Sequence, residues 1–170
     1  MTERQLQYRP LDESDLVLRE QWLNDPETNR YLGTRVRQGT DRAFHERWFA
    51  AYTKDDSRQI FTVLCGGIPI GQVGLLSINF DDQNAELYVL IGDPAYRGKG
   101  LGSKMVRHII DYGFIQLQLH RIYLTVHAAN TAAIHVYEVC GFQKEGVLRD
   151  HVLRDGTFED EVVMGLVRTS

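Results

Sequence analysis

The chain has 170 residues, 43% hydrophobic and 25% charged, with 19 basic and 23 acidic side chains and a formal net charge of −4. That length suits one domain around one core, and the balance excludes a disordered or low-complexity chain. The mild acidity argues against a nucleic-acid-binding protein, which would carry a basic patch, and no apolar run approaches the roughly 18 residues of a membrane span.

The opening residues 1–5 lack the apolar core of a secretory leader, so the expected compartment is the cytoplasm. Residues 5–8 alternate and predict a short first strand, ended by Pro10. Asp12 is placed to cap a helix running to about Leu23, with Leu16, Arg19, Trp22 and Leu23 at helical spacing. Asn24-Asp25-Pro26 stops it, and Pro26 predicts a second short helix through Tyr31, ended by Gly33. Thr40 or Asp41 would cap a further helix with Phe44, Trp48, Ala51 and Tyr52 as its buried stripe.

The pattern then turns to strands. Residues 59–65, the pair Gly66-Gly67 and residues 68–78 read as a hairpin. A polar turn at 81–84 leads into a strand over 85–91. After a loop at 92–96, residues 98–116 predict an amphipathic helix with Leu101, Met105, Val106, Ile109, Ile110 and Phe114 on one face. Residues 121–126 alternate as a strand. Asn130 caps a helix ending near Cys140, with Gly141 in the C′ position. Asp155-Gly156 signals a type I′ turn between two closing strands. Neither Cys65 nor Cys140 has a metal-ligand neighbour at short spacing, so both read as reduced core thiols and no metal is expected.

The most informative segment is Arg97-Gly98-Lys99-Gly100-Leu101-Gly102, between a strand and a helix. Glycines let amides approach a ligand closely, and the free amides at a helix start suit a phosphate or pyrophosphate. Lys99 and Lys104 add positive charge. A P-loop fails on spacing, because Gly92 and Gly98 lie too far apart and Lys99 is followed by Gly100. A dinucleotide fingerprint fails too, because Gly98-x-Gly100-x-Gly102 has the wrong intervals. A coenzyme A pyrophosphate loop remains, alongside a plain turn.

Arg97-x-x-Gly100-x-Gly102 resembles the Q/R-x-x-G-x-G/A signature of the GNAT N-acetyltransferase superfamily. Asn130, Ala133, Ile134, Tyr137, Glu138, Gly141 and Phe142 are similar to its second signature, N-x-x-A-I-x-x-Y-E-x-x-G-F, at every fixed position. The resemblance covers about residues 59–167. Leu23-Asn24-Asp25-Pro26-Glu27 and Tyr31-Leu32-Gly33 look like the branch containing ribosomal-protein and spermidine N-acetyltransferases.

The resemblance implies one α/β (α+β) domain over 1–170, with a mixed, mostly antiparallel sheet of about seven strands flanked by helices. It implies an acetyl-CoA-dependent enzyme in which a primary amine attacks the thioester directly. The acceptor would be a polyamine, a protein N-terminus or an amino sugar. The resemblance also implies a homodimer, and the alternative is a non-catalytic coenzyme-binding sensor. Leu90, Ile91, Arg97, Gly98, Lys99, Gly100, Leu101, Gly102, Ser103, Asn130, Ala133 and Tyr137 would hold the coenzyme. An alkylamine is mostly protonated at neutral pH, and stripping that proton costs roughly 4–5 kcal/mol, so a base matters. Glu86 is the candidate, with Glu27 and His127 beside it as acceptor-site residues. The resemblance assigns Tyr137 as the acid that protonates the leaving thiolate. A Cys140 acyl-enzyme is the disfavoured alternative, since no histidine is placed beside it.

Overall fold

The computed structural model describes residues 5–169; Met1–Arg4 of the opening segment and Ser170 lie outside the described residues. The elements run β1 (Leu6–Pro10), α1 (Leu16–Asn24), α2 (Pro26–Asn29), α3 (Thr34–Arg37), α4 (Arg42–Tyr52), β2 (Gln59–Cys65), β3 (Ile68–Asn79), β4 (Asn84–Ile91), α5 (Leu101–Asp111), β5 (Arg121–His127), α6 (Thr131–Val139), β6 (Gln143–Arg154) and β7 (Thr157–Val167). One sheet holds all seven strands in the order β1-β2-β3-β4-β5-β7-β6. Every neighbouring pair is antiparallel except β4 and β5. Together with the flanking helices, this is the GNAT fold that the motifs imply.

Strand alternation sends one set of side chains to each face of the sheet. Val73, Leu75, Ala85, Leu87, Ile122 and Leu124 join Leu101, Met105, Val106 and Ile109 of α5 in the main core. Trp22, Leu23 and Leu90 form a smaller apolar cluster, with Tyr88 packed against it. Leu90 therefore faces α1, not α5.

The α1 face also carries buried polar groups. Asp15 accepts two hydrogen bonds of 2.7 Å from Arg9 and one of 2.8 Å from the Thr62 hydroxyl. Arg19 donates to Gln72 Oε1 at 2.7 Å and to the Tyr88 hydroxyl at 3.1 Å, and its guanidinium lies 3.8 Å from the centre of the Trp48 ring.

Local signals account for most boundaries. Asp12 and Asp15 form a reciprocal capping box on the 3-10 turn that leads into α1. Asp25, Asp41 and Asn130 cap α2, α4 and α6 with their side chains. Asp155 and Gly156 both adopt positive φ, as a type I′ turn requires.

Three expectations are corrected. The helix of residues 98–116 starts only at Leu101, because Gly98 and Gly100 adopt left-handed backbone (φ 66° and 73°). It also opens into a π turn over Tyr112–Gln116, where Gly113 lies close to Ile122, Leu75 and Leu119. In α4, Ala51 is exposed and His45 is fully buried, its Nε2 2.8 Å from the Thr40 hydroxyl. The short helix begun by Pro26 ends at Asn29, and α3 follows Gly33, where no helix is expected from the sequence.

Candidate active site

The parallel β4–β5 ladder has only three pairs: Asn84 with Arg121, Ala85 with Ile122, and Glu86 with Tyr123. Beyond them, residues 87–91 of β4 and 124–127 of β5 run on without pairing to each other. Each keeps its outer neighbour, β3 on one side and β7 on the other. The sheet splits there, and backbone amides and carbonyls face the split. An extended ligand chain can pair with such an edge as an added strand would.

The start of α5 lies at the end of β4. Gly100 is its N-cap and provides no side-chain acceptor for the first amides of the helix. The Ser103 hydroxyl turns back to the Gly100 carbonyl at 2.9 Å. A Cβ built at Gly98 or Gly100 would meet nothing within 4 Å among the described residues beyond its chain neighbours. The loop therefore offers amides, the positive end of an 11-residue helix and room for an anion. These features fit a diphosphate.

The Arg97 side chain is occupied by partners in α2 and at the end of β4. Its guanidinium donates to the Thr28 hydroxyl and to the carbonyls of Ile91 (3.2 Å) and Gly92 (3.4 Å), and lies 3.7 Å from Glu27. Its backbone N–H is bonded to Pro94 O. Arg97 thus ties the loop to α2. Lys99 donates to the Ala95 carbonyl and lies exposed near the Tyr96 ring. Glu27 is 80% exposed and turned to Arg97.

α6 packs on the opening turn of α5. A methyl group at Gly102 would lie 3.6 Å from Ile91 and 3.9 Å from Val136, and the Cys140 thiol reaches Ser103 O at 3.6 Å. The fold thus brings Ile91, Gly102, Ser103 and the Tyr137 turn of α6 together. Asn130 Oδ1 accepts from the Ala133 amide at 3.2 Å, so its visible work is the helix cap. Tyr137 meets Phe142 edge-on at 5.9 Å, and burial pushes its phenol up to about 12. Such a phenol keeps its proton at neutral pH and is available as an acid. Burial also raises the Cys140 thiol, which weakens it as a nucleophile.

Glu86 stands where the split opens, opposite Tyr123. Burial raises its pKa, and the charge of Glu161 adds to the shift. A carboxylate tuned upward in this way suits a general base. His127, at the far end of β5, is buried, with Nδ1 3.2 Å from Glu159 and its ring 5.7 Å from Tyr31. Burial, then Arg154, lowers its pKa, so it sits neutral.

Three participants escape sequence reading. Glu161 faces His127 across the β5–β7 ladder, and Arg37 and Arg154 share a cleft with Tyr31 and Glu159. No local motif singles out any of them, although they lie in the N-terminal helices and the closing hairpin, where the family resemblance puts the acceptor pocket.

Residues 5–143 match the family described as acetyltransferase (GNAT) domain. The chain is 34% identical to the spermidine N(1)-acetyltransferase of Escherichia coli K12 over 158 residues, 92% of this chain and 82% of that protein. The crystal structure of spermidine N-acetyltransferase from Vibrio cholerae in complex with CoA and spermine superposes with a TM-score of 0.89 at 30% identity, covering 96% of this chain and 95% of that one. A dodecameric structure of the V. cholerae enzyme superposes with a TM-score of 0.80 at 30% identity, covering 96% of this chain and 94% of that one.

Proposed function

The chain belongs to the GNAT acetyltransferase family, and from that premise we propose that it acetylates a polyamine by direct transfer within a ternary complex. It is an acetyl-CoA-dependent N-acetyltransferase. The observation that carries the reading is the sheet that splits after Glu86 beside an uncapped helix start. The amides of Leu101, Gly102 and Ser103 would hold the diphosphate, and the free edge of β4 would pair with the pantetheine arm. Acetyl-CoA supplies the activated acetyl group.

Glu86 would take the ammonium proton, directly or through water, and Tyr137 would give a proton to the sulfur as the thioester breaks. An amide on β4 would donate to the thioester oxygen as negative charge builds on it. Two features support a polyamine acceptor. The E. coli and V. cholerae relatives are spermidine acetyltransferases. Glu86 and Glu161 also lie close enough to repel, and an ammonium between them would relieve that repulsion. The whole chain would act as one domain in the cytoplasm. Self-assembly is supported by the dodecamer of the V. cholerae relative, and a homodimer is the smallest such unit.

The test is thiol release from acetyl-CoA with spermidine, glucosamine and a peptide N-terminus as acceptors. Spermidine should give the highest kcat/KM. A higher value for either of the others would overturn the acceptor, and coenzyme binding without turnover on any amine would leave a sensor instead of an enzyme.

A further inference from the structure

The cleft beside the end of β5 holds more positive charge than the chemistry above uses. It is lined by Asn29, Arg30, Tyr31, Arg37, Arg154 and Glu159 among others, and has a volume of about 500 Å³. Three guanidinium groups face two carboxylates there, Asp155 and Glu159. The side chain of Arg154 is 10% exposed and that of Arg37 14%. Arginine is rarely buried this far without a full set of partners.

Their partners are incomplete. Arg37 comes within 3.4 Å of Asp155 through one terminal nitrogen, while its buried Nε has no hydrogen-bond acceptor among the described residues. Asp155 is itself 85% exposed, so that pair is weak. Arg154 donates through one terminal nitrogen to the Arg30 carbonyl. Its Nε lies 3.3 Å from Glu159 but off the hydrogen-bonding direction, and its other terminal nitrogen is also without an acceptor among the described residues. Glu159 is shared with His127. His127 lies within the field of both arginines, and both of its ring nitrogens are buried without a hydrogen bond among the described residues.

A buried donor left unsatisfied is costly, more so when it is charged. The fork of a guanidinium matches a planar or tetrahedral oxyanion, which satisfies two donors at once. We propose that Arg37 and Arg154 form a subsite for an oxyanion, a carboxylate or a phosphate, at the β5 end of the acceptor cleft.

Two groups of charge then meet at His127: an acidic pair, Glu161 with Glu86, and a basic pair, Arg37 with Arg154. His127 pairs with Glu161 in the β5–β7 ladder and lies in the field of both arginines. A second ammonium of the acceptor gains nothing at the basic pair. The oxyanion has two sources: it is carried on the acceptor itself, or it is a free anion bound beside it. The first source rests on the acetyltransferase reading with an amine that bears an oxyanion in place of a plain polyamine, and the second does not rest on that reading.

The experiment uses the full chain saturated with coenzyme A, which occupies the amides of the α5 start. Inorganic phosphate is titrated by calorimetry into wild type, Arg37→Gln, Arg154→Gln and a control, Arg47→Gln, on an exposed part of α4. Saturable binding to wild type and control, weakened at least about tenfold in the other two, is expected, since a hydrogen bond to a charged group contributes about 1.5–3 kcal/mol. Where Arg154→Gln fails to fold, Arg37→Gln carries the reading.

In parallel, kcat/KM is measured for lysine and for 1,5-diaminopentane, which differ by one carboxylate. A preference for lysine that disappears in the two variants assigns the oxyanion to the acceptor. Phosphate binding without that preference assigns it to a free anion. If neither amine turns over, the isotherm alone decides. Absence of saturable phosphate binding, together with a lysine-to-diamine ratio that the variants leave unchanged or that was never measurable, overturns the subsite.

Discussion

The two halves of the site are built in opposite ways. The half proposed for the coenzyme is mostly backbone: two left-handed glycines, an uncapped helix start and an unpaired strand edge, with α6 leaning on them. The half proposed for the acceptor is mostly side chain: Tyr31, Arg37, His127, Arg154, Glu159 and Glu161 arrive from four separate regions, and the two arginines are left short of partners. A backbone site needs little beyond its own segment, because glycine placement and helix geometry create it. A side-chain site exists only after α2, α3, β5 and the β6–β7 hairpin have assembled. One half can therefore be kept while the other is rebuilt for a different amine.

That division is tested hardest at Tyr137, which lies on the coenzyme side but is assigned to the chemistry. Tyr137→Phe keeps the ring against Phe142 and removes only the hydroxyl. The kcat should fall by roughly 10²–10⁴-fold, the range of general-acid contributions, with coenzyme affinity unchanged. Equal losses in rate and in coenzyme affinity would mean that holding and reacting are not separable there.

Glu86→Gln probes the acceptor half and should cost about 10²-fold in kcat/KM with an alkylamine. Its pH dependence is more telling. The raised pKa means that the active carboxylate forms at a higher pH than an ordinary glutamate would need. Activity in the wild type should rise with pH as this group ionises and lose that limb in the glutamine variant. A limb that persists unchanged in Glu86→Gln would assign the base elsewhere.

The same contrast explains what could be read from the sequence. The hairpin of β2 and β3, the alternation of β5, the Asn130 cap and the Asp155-Gly156 turn each rest on a short run of residues, and each appears where its local signal lies. The glycine loop was legible for the same reason. Arg97 was not: its position in the motif is local, but its partners Thr28 and Glu27 come from α2, some 70 residues away. His45 reads as one more polar residue of α4 until Thr40 and the neighbouring elements enclose it. Arg37 and Arg154 are separated by more than a hundred residues, so no pattern along the chain joins them. The face on which Leu90 packs depends on where α1 settles, which strand alternation alone does not decide.

The smallest expected effect separates two ways in which the loop could fail. Gly100 sits at φ 73°, a conformation that costs an ordinary residue about 1–2 kcal/mol and that asparagine tolerates better. A Cβ there meets nothing within 4 Å among the described residues beyond its chain neighbours, so the objections to a substitution are the backbone and the ligand. Gly100→Val should weaken acetyl-CoA binding by about tenfold or more from backbone strain and obstruction together. Gly100→Asn relieves much of the strain but keeps a side chain in the path of the anion. If the asparagine variant binds nearly as well as wild type, strain dominates and the diphosphate lies to one side of Gly100. If both variants lose affinity alike, obstruction dominates and the amides at that corner touch the phosphate. Wild-type affinity in both would remove the start of α5 from the coenzyme site and, with it, the contrast between a backbone half and a side-chain half.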